Sequence, residues 1–149
     1  MAHYTVTVRT PRTAHAAFAY MADLRNFAEW DPGVKRVSQV DGSGGGPDAS
    51  FDVVVAAGRR DLTLRYITVE YDEPRKVVIE ARSRLLTSID RISISVDSTS
   101  RCLVTYDAEL KLNGPFRYAD FALKPIFKRI GDRAARGLVA ALDGEVVTS

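Results

Sequence analysis

The chain predicts an α+β fold in which a curved antiparallel sheet of seven strands wraps around one long C-terminal helix, with two short helices inserted after the first strand. Three observations carry this reading. Between residues 34 and 112 the sequence runs as alternating apolar and polar segments separated by short polar turns, the texture of hairpin-linked strands. From Gly114 onward, apolar residues recur every three or four positions. Between residues 17 and 34 the chain reads as two helical pieces, a tryptophan and a turn that feeds straight into a strand.

The elements follow in order. Residues His3 to Arg9 place Tyr4, Val6 and Val8 on one parity, which suits a strand with one buried face. Thr10 and Pro11 supply an N-cap and a first-turn proline, after which Ala14, Ala17, Phe18 and Met21 repeat at helical spacing. Asp23 can cap a second helix, the sole tryptophan Trp30 follows it, and Asp31-Pro32-Gly33 stops it with turn chemistry. Strands are expected over 34–40 and 50–57, joined by the loop 41–48. Further strands are expected over 61–71, 76–83, 88–97 and 102–112. Short connections make the sheet antiparallel. Gly114-Pro115 opens the last element, in which Phe116, Ala119, Leu123, Ile126, Phe127, Ile130, Ala134, Leu138 and Ala141 form an apolar stripe. Pro125 lies inside that stripe and predicts a kink or a break. The stripe must be buried, and the concave face of the sheet is the only partner large enough.

Composition sets the remaining bounds. A length of 149 residues with 46% hydrophobic content fits one domain spanning 1–149. The formal charge of +2 comes from nearly balanced acids and bases and gives no reason to expect a nucleic-acid partner. The single cysteine, Cys102, rules out an intrachain disulfide, and residues 1–20 lack the apolar core of a secretory signal, so a soluble cytoplasmic protein is expected. No apolar run approaches the ~20 residues that span a bilayer.

The order strand, two helices, six strands and long helix resembles the START-related helix-grip superfamily, often called SRPBCC, and within it the polyketide cyclase/dehydrase and lipid-transport branch. The stretches Phe18-Ala19-Tyr20-Met21-Ala22-Asp23, Trp30-Asp31-Pro32-Gly33-Val34 and Tyr66 to Val78 carry the likeness, which covers essentially the whole chain. The resemblance implies an apolar tunnel between sheet and C-terminal helix. It does not fix the chemistry, because carriers, aromatases, cyclases, dehydrases and chaperone-linked proteins share this scaffold.

Several motifs point away from other chemistries. The glycine-rich loop from Gly42 to Gly46 joins two strands rather than opening a helix, and no Walker lysine follows it, so its glycines are read as flexibility rather than a phosphate cradle. His3 and His15 stand apart with no metal-ligand spacing, and no metal or other cofactor is expected. Cys102 has no base near it in sequence and reads as a small buried residue.

Strand parity singles out the polar groups. Asp90 shares a face with Ile92, Ile94 and Val96, and Tyr106 shares one with Val104, Ala108 and Leu110, so both are candidates to point inward. Arg65 joins them if Ile67, Val69 and Tyr71 face inward. The rival parity of Leu62, Leu64 and Tyr66 is almost equally good, and a β-bulge could reconcile the two. An inward Asp90 needs a partner or a polar ligand, the alternative being a solvated position near a strand end. The expected wall comprises Phe27, Trp30, Phe51, Tyr66, Asp90, Tyr106, Phe116 and Phe127. The expected function is binding or transport of a small hydrophobic molecule: a lipid, isoprenoid, aromatic or polyketide-like compound. The alternative is a cyclase, aromatase or dehydrase, with Tyr106 as proton donor, Asp90 as base and Arg65 as oxyanion stabiliser. Lys124, Lys128, Arg129, Arg133 and Arg136 give the last helix a basic outer face, normally a solvated one, or one in weak contact with anionic lipid headgroups. The sequence leaves the oligomeric state open.

Overall fold

A computed structural model describes residues 2–57, 59–98 and 101–147. The chain runs β1 (Ala2–Thr10), α1 (Ala14–Ala22), a 3₁₀ turn (Leu24–Asn26), α2 (Phe27–Trp30), β2 (Val34–Asp41), β3 (Ser50–Ala57), β4 (Arg60–Asp72), β5 (Lys76–Arg82), β6 (Leu86–Ser98) and β7 (Arg101–Leu112). A 3₁₀ segment (Gly114–Ala119), α3 (Asp120–Leu142) and β8 (Glu145–Val146) complete it. The strands form one antiparallel sheet in the order β2-β3-β4-β5-β6-β7-β1-β8. The expected seven strands are there, and an eighth of two residues adds to the free edge of β1, pairing Val8 with Val146.

Three local expectations need correction. The first helix is capped by Thr13, whose hydroxyl accepts from the Ala16 amide, and not by Thr10. Thr10 ends β1 instead, and its buried hydroxyl donates to the Leu142 carbonyl at 2.6 Å, tying the first strand to the end of the last helix. Helix α3 continues through Pro125 rather than breaking there. The glycine-rich loop is fastened: the Gln39 side chain donates to the Gly44 carbonyl and accepts from the Gly44 amide, at 2.9 and 3.0 Å. Gly45 packs so tightly on Ala22 that a Cβ there would come within 2.7 Å of the alanine methyl group. Asp23 behaves as expected, its carboxylate accepting the Arg25 amide at the start of the 3₁₀ turn.

A register shift between Thr68 and Glu70 resolves the parity conflict in β4. Before it, Leu64, Tyr66 and Thr68 are buried while Arg65, Ile67 and Val69 are exposed. After it, Tyr71 turns toward the core and meets Phe18 edge-on at 5.2 Å. One extra residue thus lets both parities serve a single inner face.

The core lies between that face and the helices. Phe18, Met21, Phe51, Val53, Ile79, Ile92, Leu138 and Leu142 are essentially inaccessible. Glycines permit the closest helix contact: a Cβ on Gly137 would lie 1.8 Å from the Trp30 carbonyl oxygen, and one on Gly131 would strike the Tyr4 ring. Helix α3 is therefore pressed against α2 and β1 along its C-terminal half. Toward its N-terminus it stands clear, leaving Phe121 76% and Ile126 55% exposed.

Candidate ligand cavity between sheet and last helix

Where α3 stands away from the sheet, a cavity of about 410 Å³ opens. Its floor is the inner face of β4, β6 and β7, with Leu64, Tyr66, Leu86, Ser88, Asp90, Tyr106, Ala108 and Leu110. Its roof is Phe127, Ile130, Gly131 and Ala134 of α3, and one end is closed by Phe27 and the Asp31-Pro32-Gly33 turn. The wall is mainly apolar with a few polar groups on the floor, the usual composition of a small-molecule site.

Sheet register brings the polar groups together. Asp90 lies opposite Ala108 and Ile92 opposite Tyr106, so Asp90 and Tyr106 are diagonal neighbours on one face. The Tyr106 hydroxyl and the Asp90 carboxylate lie close enough for each to shift the other's titration. Reaching across β5 from β4 to β6, the Tyr66 hydroxyl donates to the Ser88 hydroxyl at 2.8 Å, both residues being buried.

Burial governs the titration of this group. Asp90, only 4% exposed, has its carboxyl pushed up to about 7, first by loss of water and then by the charge of Asp31, with the Tyr106 hydrogen bond pulling the other way. Burial raises Asp31 as well, opposed by the hydrogen bond its Oδ1 accepts from the Gly33 amide at 2.9 Å. The Tyr66 and Tyr106 phenols are driven well above their ordinary range by burial and by the Asp90 charge. The arrangement can therefore exchange a proton near neutrality at Asp90 and hold polar ligand atoms against an apolar wall.

The expected residues divide into two sets. Phe27, Tyr66, Asp90, Tyr106 and Phe127 line the cavity. Trp30 stands behind it, its ring 4.8 Å from Phe27 and 5.1 Å from Tyr106, so it supports the wall from the core side. Phe51 is completely buried beside Tyr66 and belongs to the core. Phe116 does not line the cavity: it sits in the 3₁₀ segment and is half exposed. Arg65 is also displaced from its expected role. It lies on the outer face of the sheet, its Nε 2.5 Å and Nη2 3.1 Å from the Asp52 carboxylate across the β3–β4 ladder. The bulge falls beyond Arg65, so the inward parity there is that of Leu64 and Tyr66.

Sequence reading missed Asp31, Ser88 and Tyr4. Asp31 was accounted for as turn chemistry, and its Asx bond to Gly33 does serve that turn, but the same side chain lines the cavity. Its position directly after the tryptophan was the available signal. Ser88 shares the parity of Asp90 and could have been found from it. Tyr4 also reaches the cavity, its hydroxyl donating to Asp132 on α3 at 2.8 Å.

Other chemistries find no support among the described residues. No group of three or more potential ligands is placed to hold a metal ion. His3 bonds to Asp107 on β7, and His15 is exposed on α1. Cys102 is buried, donates to the Arg12 carbonyl, and has its thiol pushed up by burial, which disfavours the reactive thiolate. No helix is long and apolar enough to cross a membrane.

A curved antiparallel sheet closed over a long C-terminal helix, with a part-polar cavity between them, defines a helix-grip protein of the START-like class. A family model described as polyketide cyclase/dehydrase and lipid transport matches residues 1–143, and the chain belongs to that family. No curated protein sequence matches it. Solved structures share the fold at low identity. A START superfamily protein from Mycobacterium smegmatis is 13% identical with a TM-score of 0.73, covering 96% of this chain and 98% of its own. The Zhui aromatase/cyclase from a Streptomyces species is 11% identical with a TM-score of 0.73, covering 94% and 90%. A major latex-like protein from Panax ginseng is 11% identical with a TM-score of 0.62, covering 95% and 97%.

Proposed function

We propose that the cavity binds a small, mainly apolar molecule, of lipid, isoprenoid, aromatic or polyketide-like character, and carries it between sheet and α3. The observation supporting this reading is the convergence of Tyr66, Ser88, Asp90 and Tyr106 on one patch of a mainly apolar 410 Å³ space. Covering about 300 Å² of apolar ligand surface contributes roughly 7 kcal/mol, against an association cost of at least about 4 kcal/mol, so polar contacts must set selectivity. The test is native mass spectrometry of freshly purified protein, followed by release and identification of any bound compound. A discrete added mass is expected. A clean apo mass together with no thermal shift across a broad panel of apolar compounds would defeat the reading.

A second reading is a cyclase, aromatase or dehydrase using the same cavity. It is favoured by one feature: Asp90, titrating near 7 in contact with Tyr106, has the properties of a general acid or base at neutral pH. Arg65 has no part in it. On a polyketide-like substrate, Asp90→Asn and Tyr106→Phe would each lower kcat by about 10²–10⁴; full turnover in both variants would remove the assignment.

The uncovered N-terminal half of α3 supports a weak contact with anionic membrane surfaces. Together with the preceding 3₁₀ segment, which exposes Phe116 and Tyr118 beside Arg117, it presents Phe121, Ile126 and Ile130 among Lys124, Lys128 and Arg129. Failure to co-sediment with phosphatidylglycerol vesicles at low salt would end that idea.

A further inference from the structure

The hydrogen-bond inventory of the cavity is lopsided. Two of its three tyrosines give their hydroxyl protons to the protein, Tyr66 to Ser88 and Tyr4 to Asp132, and the third, Tyr106, lies beside the Asp90 carboxylate on the same face of the sheet. Asp31 uses Oδ1 for the Gly33 amide. Apart from the Ser88 hydroxyl proton, what remains toward the space is mostly acceptors, namely phenolic lone pairs and the carboxyl oxygens of Asp31 and Asp90. Among the described residues lining the cavity, Arg133 is the one cationic side chain, and it is solvent-exposed. Asp31, from the α2–β2 turn, and Asp90, from β6, face the same space from different elements, and the charge of Asp31 weighs on Asp90. A ligand offering another acceptor leaves these oxygens unsatisfied. One bringing a second negative charge adds repulsion in a poorly hydrated site. A ligand bringing a positive charge and several N–H donors satisfies both carboxylates, and the faces of Phe27, Tyr66 and Tyr106 suit a cation as well.

We infer that the cavity selects an apolar, preferably aromatic, molecule bearing a protonated amine, held by Asp31 and Asp90, over carboxylates of the same skeleton. This rests on the cavity being a binding site, as proposed above. It names Asp31 as a specificity-determining residue.

The experiment is isothermal titration of the intact protein at neutral pH with three matched probes: naphthylethylamine, naphthylethanol and naphthylacetic acid. The amine is expected to bind about ten- to a hundredfold more tightly than the acid, with the alcohol between them, as befits charge-assisted hydrogen bonds. The Asp31→Asn/Asp90→Asn variant, checked for folding by its thermal midpoint, is expected to bring amine and acid to within about threefold of each other. Equal binding of all three probes to the parent protein, or preference for the acid, overturns the inference and leaves the cavity reading intact. An amine preference that survives in the double variant overturns the assignment to Asp31 and Asp90. Binding of none of the probes counts against the cavity reading itself, and this inference falls with it.

Discussion

Helix α3 is two surfaces joined end to end. From Gly131 to Leu142 it is docked: Ala134, Ala135, Leu138 and Leu142 are buried, Gly131 lies on the Tyr4 ring, and Gly137 lies against the Trp30 carbonyl. From Asp120 to Ile130 it is largely uncovered, with Leu123 and Phe127 only half buried and Phe121, Ile126 and Ile130 open to solvent. The apolar stripe is continuous across both halves, so periodicity alone does not separate them. Residue size does. Glycine and alanine let the helix axis approach β1 and α2 closely, whereas the phenylalanine and isoleucine side chains of the other half line the cavity, as Phe127 and Ile130 do, or face solvent, as Phe121 and Ile126 do. The docked half grips, and the raised half roofs a cavity.

The most severe way to break this contrast is a single methyl group on the docked half. In an exposed helix, Gly→Ala is stabilising by about 1 kcal/mol. Here the added carbon would meet backbone at 1.8 Å, and backbone has no rotamer to yield. Gly137→Ala is therefore expected to destabilise by more than about 4 kcal/mol, read as a collapse of the denaturant midpoint. A neutral result would mean that α3 does not rest on Trp30. Leu138→Ala, at a fully buried position, comes next with an expected loss of about 4 kcal/mol from transfer and cavity terms.

How much of this was legible follows from the same contrast. Alternation and helical spacing report which face of an element is apolar, and on that basis strand order in the chain, the two short helices and the last helix could be read directly. They do not report how far apart two apolar faces stand. Phe116 and Phe51 were thus indistinguishable from Phe27 and Phe127 in sequence, although one is half exposed, one is core, and two line the cavity. Asp90 and Tyr106 were legible because strand parity is a strict two-state variable. Arg65 was not, because a one-residue bulge four positions later decides which parity of β4 turns inward. Asp31 escaped because one side chain both closes a turn and borders the cavity, and the local role suffices to explain its presence.

Beneath the raised half the sheet carries a buried carboxyl, and this gives the third prediction. Asp90 titrates near 7 in the folded chain and near 3.9 when unfolded, so between those values the folded state holds a proton that the unfolded state has released. Stability must then fall as pH rises from about 4 to about 7 and level off above, the total being on the order of 4 kcal/mol. Asp90→Asn removes that slope and is expected to be the more stable protein at alkaline pH, as chemical denaturation across pH would reveal. Asp31, raised in the same direction, leaves a smaller slope of the same sign. Asp52, held low chiefly by its hydrogen bond from Arg65, acts oppositely and only in acid, so it does not mask the effect. A pH-independent difference between parent and variant would contradict the burial of Asp90.

The smallest expected effect is the sharpest test of the uncovered half. Phe121 and Ile126 are large apolar residues on a helix whose other half tolerates no added methyl group, yet both face solvent. If nothing in the protein covers them, Phe121→Ser/Ile126→Ser removes no buried contact, and the thermal midpoint should move by the equivalent of about 0.5 kcal/mol or less once the modest helix propensity of serine is included. The adjacent Lys128–Asp132 pair, at 3.6 Å, adds only the few tenths of a kcal/mol usual for an exposed i,i+4 contact. Retention on phosphatidylglycerol vesicles, by contrast, should drop in the double variant, because the exposed apolar side chains are what a headgroup layer would bury. A stability loss above about 2 kcal/mol would show that this half is covered in solution. The division of α3 into a docked and a raised segment would then have to be abandoned.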